Sequence, residues 1–391
     1  MRVKKILFVI HSSAPSGGAE DDIENLLIRL CKSGKYEIHG LLPPGQRKEA
    51  FAKYFDKFAN LNWGVFPVIY DGLFKYLKYV LKMFIQIYQI RKFIGKNKYD
   101  ACFMSVAVLL WPTLYLKICK FKQIVFVKET IEPLQIRKII YKIIDYSSSY
   151  IIPNSAIIED EFRRFTHSQK IKTVYSSVSV SNCDHPNVQE YEEQIGSEII
   201  RVMQQDSFKM MMIGNLIKIK NPLAAVKAIE ILKRDTRLNP KLFIIGKDDV
   251  EIKYGKSVLS YIEKYQLQSS VKLLGFQSKE VIEYLLPKMD CLVIPSLSEG
   301  IPLVLVYALK HKVPILTTEA GGISDIIKND FNGIIIKPSP ESIREAVIYL
   351  NGTPELKNKL VNNGYSTYLE KFNLESNLNE IVEVLEEVIS H

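Results

Sequence analysis

The 391-residue chain lacks paired cysteines: Cys31, Cys102, Cys119, Cys183 and Cys291 are odd in number, and no two stand at the two-residue spacing of a metal or redox pair. They read as reduced, mostly buried thiols, which excludes a disulfide scaffold. It also lacks a histidine pair. No two of His11, His39, His167, His185, His311 and His391 lie close in sequence, so no metal is assigned. Long apolar runs are missing too. Ile6 to Ile10 is too short for a signal peptide, and Ala101 to Leu116 is broken by Ser105, Trp111-Pro112 and Thr113, short of the roughly 20 residues that span a bilayer. The expected compartment is cytoplasmic.

What is present is ample apolar material, 47% of residues against 24% charged, the balance of a globular protein. The length exceeds what one core serves and predicts two domains. Charge is divided unevenly between them. Residues 1–180 hold 28 basic and 15 acidic side chains, a balance of +13, while residues 181–391 hold 24 and 28, a balance of −4. A basic half suits nucleic acid, an anionic membrane or an acidic substrate, and charge alone does not choose.

Short β-branched runs alternate with segments of helical period. Strands are expected at Lys4–Ile10, Tyr36–Leu42, Val65–Ile69, Ala101–Ser105, Gln123–Val127 and Ser149–Ile152. After a polar, acidic stretch at 181–206, read as a linker, they resume at Phe208–Ile213, Lys241–Ile245, Val271–Leu274, Cys291–Ile294, Val313–Leu316 and Gly333–Ile336. The fold class is therefore α/β, two doubly wound Rossmann-like domains at 1–180 and 207–370, with a terminal helix at 371–391 packing back on the first. Ligands of such sheets sit beyond the carboxyl ends of the strands, which predicts a site in a cleft where the domains face.

The loops after strands carry the candidate chemistry. Gly17-Gly18 lies in a Ser/Gly loop running into a helix, where free amides favour phosphate; a ligand-free flexible loop is the alternative. Gly214-Asn215 precedes Lys220, which stands just before a helix start and can act with the helix dipole on a diphosphate, or else is a solvated lysine. The richest segment is Ser298-Glu299-Gly300-Ile301-Pro302-Leu303, a carboxylate and a glycine in a turn with a helix beginning at Pro302, so that the amides of Ile301 and Leu303 are free. Gly321-Gly322 repeats the arrangement after the next strand.

On these four motifs, in order and correctly spaced, the chain resembles the retaining GT-B glycosyltransferases of family four, the glycosyl transferases group 1, along nearly its whole length. The resemblance implies a nucleotide-diphosphate sugar as donor, a UDP-sugar in the first instance, with no cofactor and no metal. Glu299 would contact the transferred sugar and Lys220 would neutralise the leaving diphosphate. Within Gly300-Ile301-Pro302-Leu303 the free amides near Ile301–Leu303, with the Gly17-Gly18 loop, would hold the phosphates. Transfer would proceed with retention, by front-face attack in which the departing phosphate takes the proton, and electrostatic stabilisation would dominate the rate.

Three positions depart from the family. Its second glutamate, which holds the ribose, is Tyr307 here, and a phenol donates one hydrogen bond where a carboxylate accepts two. Its arginine before the lysine is Asn215. Where many relatives carry a histidine facing the donor sugar, a strand end carries Lys128, either a catalytic cation that compensates for Asn215 or a solvated charge beside Glu129.

Gly72 to Tyr99 holds seven Lys and Arg, among them Lys75, Lys78 and Lys82, and no acid, interleaved with Phe and Tyr. This suits peripheral contact with the anionic inner face of a cell membrane, against a plain core helix with a solvated face, and nucleic acid is not assigned as a partner. The expected function is transfer of a sugar to a glycan or lipid-linked acceptor in surface polysaccharide or glycolipid synthesis. The alternatives are a catalytically weak or inactive nucleotide-sugar or glycan-binding relative and, disfavoured by the +13 half, a sugar-nucleotide epimerase.

Overall fold

The computed structural model describes residues 2–12, 18–45, 48–61, 72–107, 109–128, 134–176 and 188–390, with the side chains of 18–19 and 72–81 outside the description. The chain divides into two units, residues 1–179 with 374–391, and residues 180–373.

The first unit runs β1 (Lys4–Val9), α1 (Gly18–Ser33), β2 (Tyr36–Leu42), α2 (Lys48–Ala52), β3 (Lys57–Asn60), α3 (Gly72–Ile94), β4 (Ala101–Met104), α4 (Leu110–Ile118), β5 (Gln123–Val127), α5 (Leu134–Ser147), β6 (Tyr150–Pro153) and α6 (Ala156–Thr166). Its strands form one parallel sheet in the order β3-β2-β1-β4-β5-β6. The central strand β1 is covered on both faces, which explains its unbroken apolar run. Alternate residues serve opposite cores: Leu7 and Val9 join the side chains of α3 to α6, while Ile6, Phe8 and Ile10 join those of α1.

The second unit runs α7 (Val188–Ile195), α8 (Ser197–Met203), β7 (Phe208–Ile213), α9 (Pro222–Asp235), β8 (Pro240–Ile245), α10 (Ile252–Lys264), β9 (Val271–Leu273), α11 (Lys279–Leu285), β10 (Cys291–Ile294), α12 (Leu303–Lys310), β11 (Ile315–Thr317), β12 (Ile334–Ile335), α13 (Pro340–Gly352) and α14 (Pro354–Lys371). Its sheet is also parallel, ordered β12-β11-β10-β7-β8-β9. Numbered from its own first strand this is the same order as in the first unit.

The last helix, α15 (Leu374–Ser390), belongs to the first unit. Its apolar residues recur at helical spacing, and Leu378, Ile381, Val384, Leu385 and Val388 are buried in the core that holds α1 and the β1 residues Ile6 and Phe8. Each such side chain is worth up to roughly 1.5–3 kcal/mol. Tyr36 donates to Glu386, and Lys172 pairs with Glu380 at 3.0 Å, so charges at the margin fix the helix in register.

One expectation needs correction. The stretch read as a linker at 181–206 contains α7 and α8, whose core contribution is only Ile195, Val202 and Met203, too sparse to show as a period. They are tied down by polar contacts instead: Tyr284 donates to Glu192 at 2.8 Å and Lys272 pairs with Glu198 at 2.6 Å. The edge strand of the first sheet is Lys57–Asn60. The strand expected at Val65–Ile69 lies outside the described residues, and so do Gly17 and Glu129.

Candidate functional site

In the second sheet the strand order reverses between β7 and β10, the place where doubly wound sheets bind ligands. Gly214 and Asn215 follow β7, and Pro295 to Pro302 follow β10. Lys220 ends a single 3-10 turn, Lys218–Lys220, immediately before α9. Its ammonium meets both oxygens of Glu299, 2.6 Å to Oε1 and 2.8 Å to Oε2. The pair is 79 residues apart in sequence and is brought together because the two loops leave neighbouring strands. Glu299 is 9% exposed and Lys220 27% exposed, so the carboxylate is set back and the ammonium reaches outward.

Ser296, which the sequence reading passed over, donates its hydroxyl to Glu299 Oε1 at 2.7 Å. Its position two residues past a strand end was the available signal. Asn221 caps α9 in the left-handed region and donates to the Pro295 carbonyl at 3.2 Å, while Leu297 N donates to Ile219 O at 2.8 Å. These bonds stitch the Lys220 turn to the Glu299 loop. Gly321 (φ +55°) makes the loop possible from the other side, since a Cβ there would lie 1.9 Å from the Glu299 carbonyl oxygen. At Gly322 a Cβ would come within 2.8 Å of Ile301 Cγ1. The glycines expected to approach a ligand thus also approach the Glu299 loop itself. Gly246 was not singled out from sequence, yet a Cβ on it would fall 2.1 Å from the Gly214 carbonyl oxygen, so the β7 and β8 loops also meet backbone to backbone.

The other residues expected to bind the donor lie in neighbouring loops and in α12. Asn215 accepts from the Lys247 amide at 3.0 Å, tying two loops together. Gly300 continues the Glu299 turn; α12 begins at Leu303, one residue later than expected, with Ile301 buried and Pro302 as the preceding cap. Tyr307 sits inside that helix, 5% exposed, with the Lys279 ammonium 5.8 Å from its ring centroid. A ring so enclosed leaves little surface for a ribose.

The first unit reverses its order between β1 and β4. There the His11 ring is 3.0 Å from Ser105 Oγ, and His11 N donates to the same oxygen at 2.9 Å. Burial, helped by the nearby Lys128 charge and opposed by Glu20, holds the imidazole below its usual range. Gly18 opens α1, whose first turn carries Glu20 and Asp21. Lys128 requires correction: it is neither a free cation nor a solvated one. Its ammonium is 2.7 Å from Asp22 Oδ2, the two side chains are 7% and 14% exposed, and its carbonyl accepts from Asn154 at 3.1 Å. The ammonium is already neutralised within the first unit, so it does not make up for the arginine replaced by Asn215. On α3, Lys82 is half-buried, and the side chains of Lys75 and Lys78 lie outside the described residues. No described helix is long and apolar enough to cross a membrane.

Residues 199–367 match the family model of glycosyl transferases group 1. The chain is 28% identical over 247 residues to an uncharacterized glycosyltransferase of Methanocaldococcus jannaschii, covering 61% of this chain and 60% of that one. It is 29% identical over 143 residues to the Escherichia coli UDP-Gal:alpha-D-GlcNAc-diphosphoundecaprenol alpha-1,3-galactosyltransferase, covering 36% of this chain and 35% of that one. The chain thus spans less than two thirds of the length of either relative. The fold is similar to that of HepE from Anabaena, solved in complex with UDP, with a TM-score of 0.77 at 15% identity over 98% of this chain and 100% of that one. With the motif loops held at the β7/β10 reversal and the group 1 match laid over the same unit, the second unit is similar to the glycosyl transferases group 1, and the chain has the two-domain GT-B fold.

Proposed function

We propose that the chain is a retaining glycosyltransferase that takes a hexose from a nucleoside-diphosphate donor, a UDP-sugar in the first instance, and passes it to a glycan or lipid-linked acceptor in surface polysaccharide or glycolipid synthesis. The observation that carries the reading is the two-pronged contact of Lys220 with Glu299 at the strand-order reversal. An ammonium and a carboxylate already in register suit a ligand that presents a diphosphate beside sugar hydroxyls. On binding, Lys220 turns its charge to the diphosphate, and Glu299, still held by Ser296, accepts from the sugar hydroxyls. The bond from the anomeric carbon to the diphosphate oxygen breaks as the acceptor oxygen bonds on the same face, and the acceptor proton passes to the departing phosphate. Lys220 and the α9 start stabilise the developing charge in place of a metal. The UDP bound by HepE and the diphosphoundecaprenol substrate of the E. coli relative support the donor and acceptor classes.

The cationic α3 region supports a cytoplasmic protein peripheral on the inner membrane face. A second reading, a nucleotide-sugar-binding protein with weak or no turnover, is favoured by the enclosure of Tyr307 and the pairing of Lys128 with Asp22. Thermal shifts against uridine, guanosine and adenosine diphosphates and their sugars, followed by product analysis with a polyprenyl-diphosphate glycan, separate the two. A shift with product of retained configuration supports the transferase; a shift without product supports the binder; no shift with any nucleotide removes both.

A further inference from the structure

The helices α3, α4 and α5 enclose an apolar cavity that sugar transfer does not use. It has a volume of about 430 Å³ and is lined by Met83 and Ile87 of α3, Trp111, Leu114 and Ile118 of α4, and Tyr146 of α5. That is within the range of roughly 300–1,000 Å³ of small-molecule sites. Two of the lining side chains stand well exposed, Ile118 at 78% and Tyr146 at 70%, and Tyr88 and Phe84 of α3 are exposed at 66% and 63%. Side chains of this kind gathered at a concavity mark a binding surface. Trp111 lines the cavity with its ring, so its indole senses what enters.

The charge around the cavity narrows the choice of occupant. Residues 72–122 hold ten Lys and Arg against one acid, Asp100, which accepts from the Lys5 amide at 2.8 Å. Lys117 lines the cavity and holds its ammonium 5.4 Å from the Tyr146 ring centroid. A nucleic acid would match the charge and leave the cavity empty, while an apolar peptide would fill the cavity and leave the charge unmatched. An anionic lipid matches both.

We propose that this cavity binds an acyl chain of an anionic bilayer lipid, with the chain against Trp111, Leu114 and Ile118 and Lys117 meeting the headgroup. The proposal rests on the reading of the first unit as membrane-facing and is independent of the chemistry of Lys220 and Glu299.

Trp63→Phe leaves Trp111 as the sole tryptophan, so its fluorescence reports the cavity. Dodecyl phosphate below its micelle concentration should change that emission saturably with one site per chain, and inorganic phosphate should not. Ile118→Glu and Leu114→Gln should each weaken the binding by about tenfold or more, the effect of putting a polar group where the chain packs. Ile118 is exposed, so its variant tests the cavity even where Leu114→Gln unfolds. With phosphatidylglycerol vesicles, bromine on the acyl chain should quench Trp111 more than bromine is able to quench it in Ile118→Glu. Absence of saturable dodecyl phosphate binding, or equal affinity in Ile118→Glu, overturns the proposal. If wild type and Ile118→Glu sediment equally with these vesicles and Trp111 is not quenched, the cavity fails and membrane contact stands. If wild type does not sediment at low salt, membrane contact and the bilayer source of the chain both fail, whatever dodecyl phosphate does.

Discussion

The two units share one strand order and put different chemistry at its reversal. In the second, the loops after β7 and β10 bring together a lysine and a glutamate that are 27% and 9% exposed, held by a serine hydroxyl and by glycines that allow backbone to touch backbone. In the first, the same reversal carries a half-buried histidine on a serine, and the nearby cation, Lys128, is buried against Asp22. The fold supplies a place for a ligand twice over, and the side chains differ in what remains free to meet one. A pair with an outward-reaching ammonium can be opened by a ligand, while a pair closed on both sides holds structure. That difference predicts stability effects in the first unit and activity effects in the second.

The largest expected effect is on stability. Asp22→Asn removes the carboxylate that meets the buried Lys128 ammonium at 2.7 Å, and breaking a buried pair from one side costs about 3–5 kcal/mol. Chemical denaturation should show that loss, with nucleotide binding by the folded fraction unchanged. A variant of normal stability that has lost nucleotide binding would break the comparison and return Lys128 to the donor site.

Close behind it comes Lys220→Met, which removes the charge proposed for the leaving diphosphate. Transfer should fall by about 10²–10³, the usual cost of losing one electrostatic stabiliser of a transition state, while the denaturation midpoint stays near wild type because the side chain is partly exposed. Nucleoside diphosphates should lose affinity far more than the free sugar. Equal losses for both would separate Lys220 from the diphosphate. Tyr307→Glu should act less directly. It places a carboxylate where a ring is 5% exposed, and activity should fall with stability, whereas a rise in nucleotide affinity would show that the position reaches the ribose after all.

The strands that were legible in the sequence are those covered on both faces, because burial on two sides writes a continuous β-branched or apolar run, as in Gln123–Val127 and Cys291–Ile294. Lys57–Asn60 was not legible: an edge strand with three of its four residues exposed carries no such run. The helices at 188–203 were hidden because their anchoring is by Glu192 and Glu198, which read as solvated acids until Tyr284 and Lys272 arrive from far along the chain. Lys220 and Glu299 were singled out as candidates by their place after strands, but their contact was not legible, nor was the contact of Lys128 with a residue 106 positions away. Position in a loop is a local property; the partner that decides whether a charge is free depends on the fold.

The smallest effect separates the two reversals by pH. Burial and Lys128 lower the His11 pKa in the folded first unit, with Glu20 opposing them. A histidine whose folded pKa lies below its unfolded value near 6.5 binds a proton more readily when unfolded, so its full contribution to stability is present above that value and is lost as pH falls through it. One such group changes the slope of stability by at most about 1.4 kcal/mol per pH unit. Denaturation of wild type between pH 7.5 and 5 should therefore show stability falling toward acid, and His11→Gln, which keeps a polar partner for Ser105, should flatten the curve in that window. The denaturant midpoint of each, taken with UDP present and absent, tells where the slope originates. A slope unchanged in His11→Gln would mean that other groups carry the acid sensitivity. A slope that vanishes only when UDP is bound would mean that His11 senses the ligand, and the two reversals would then be alike in function as well as in topology.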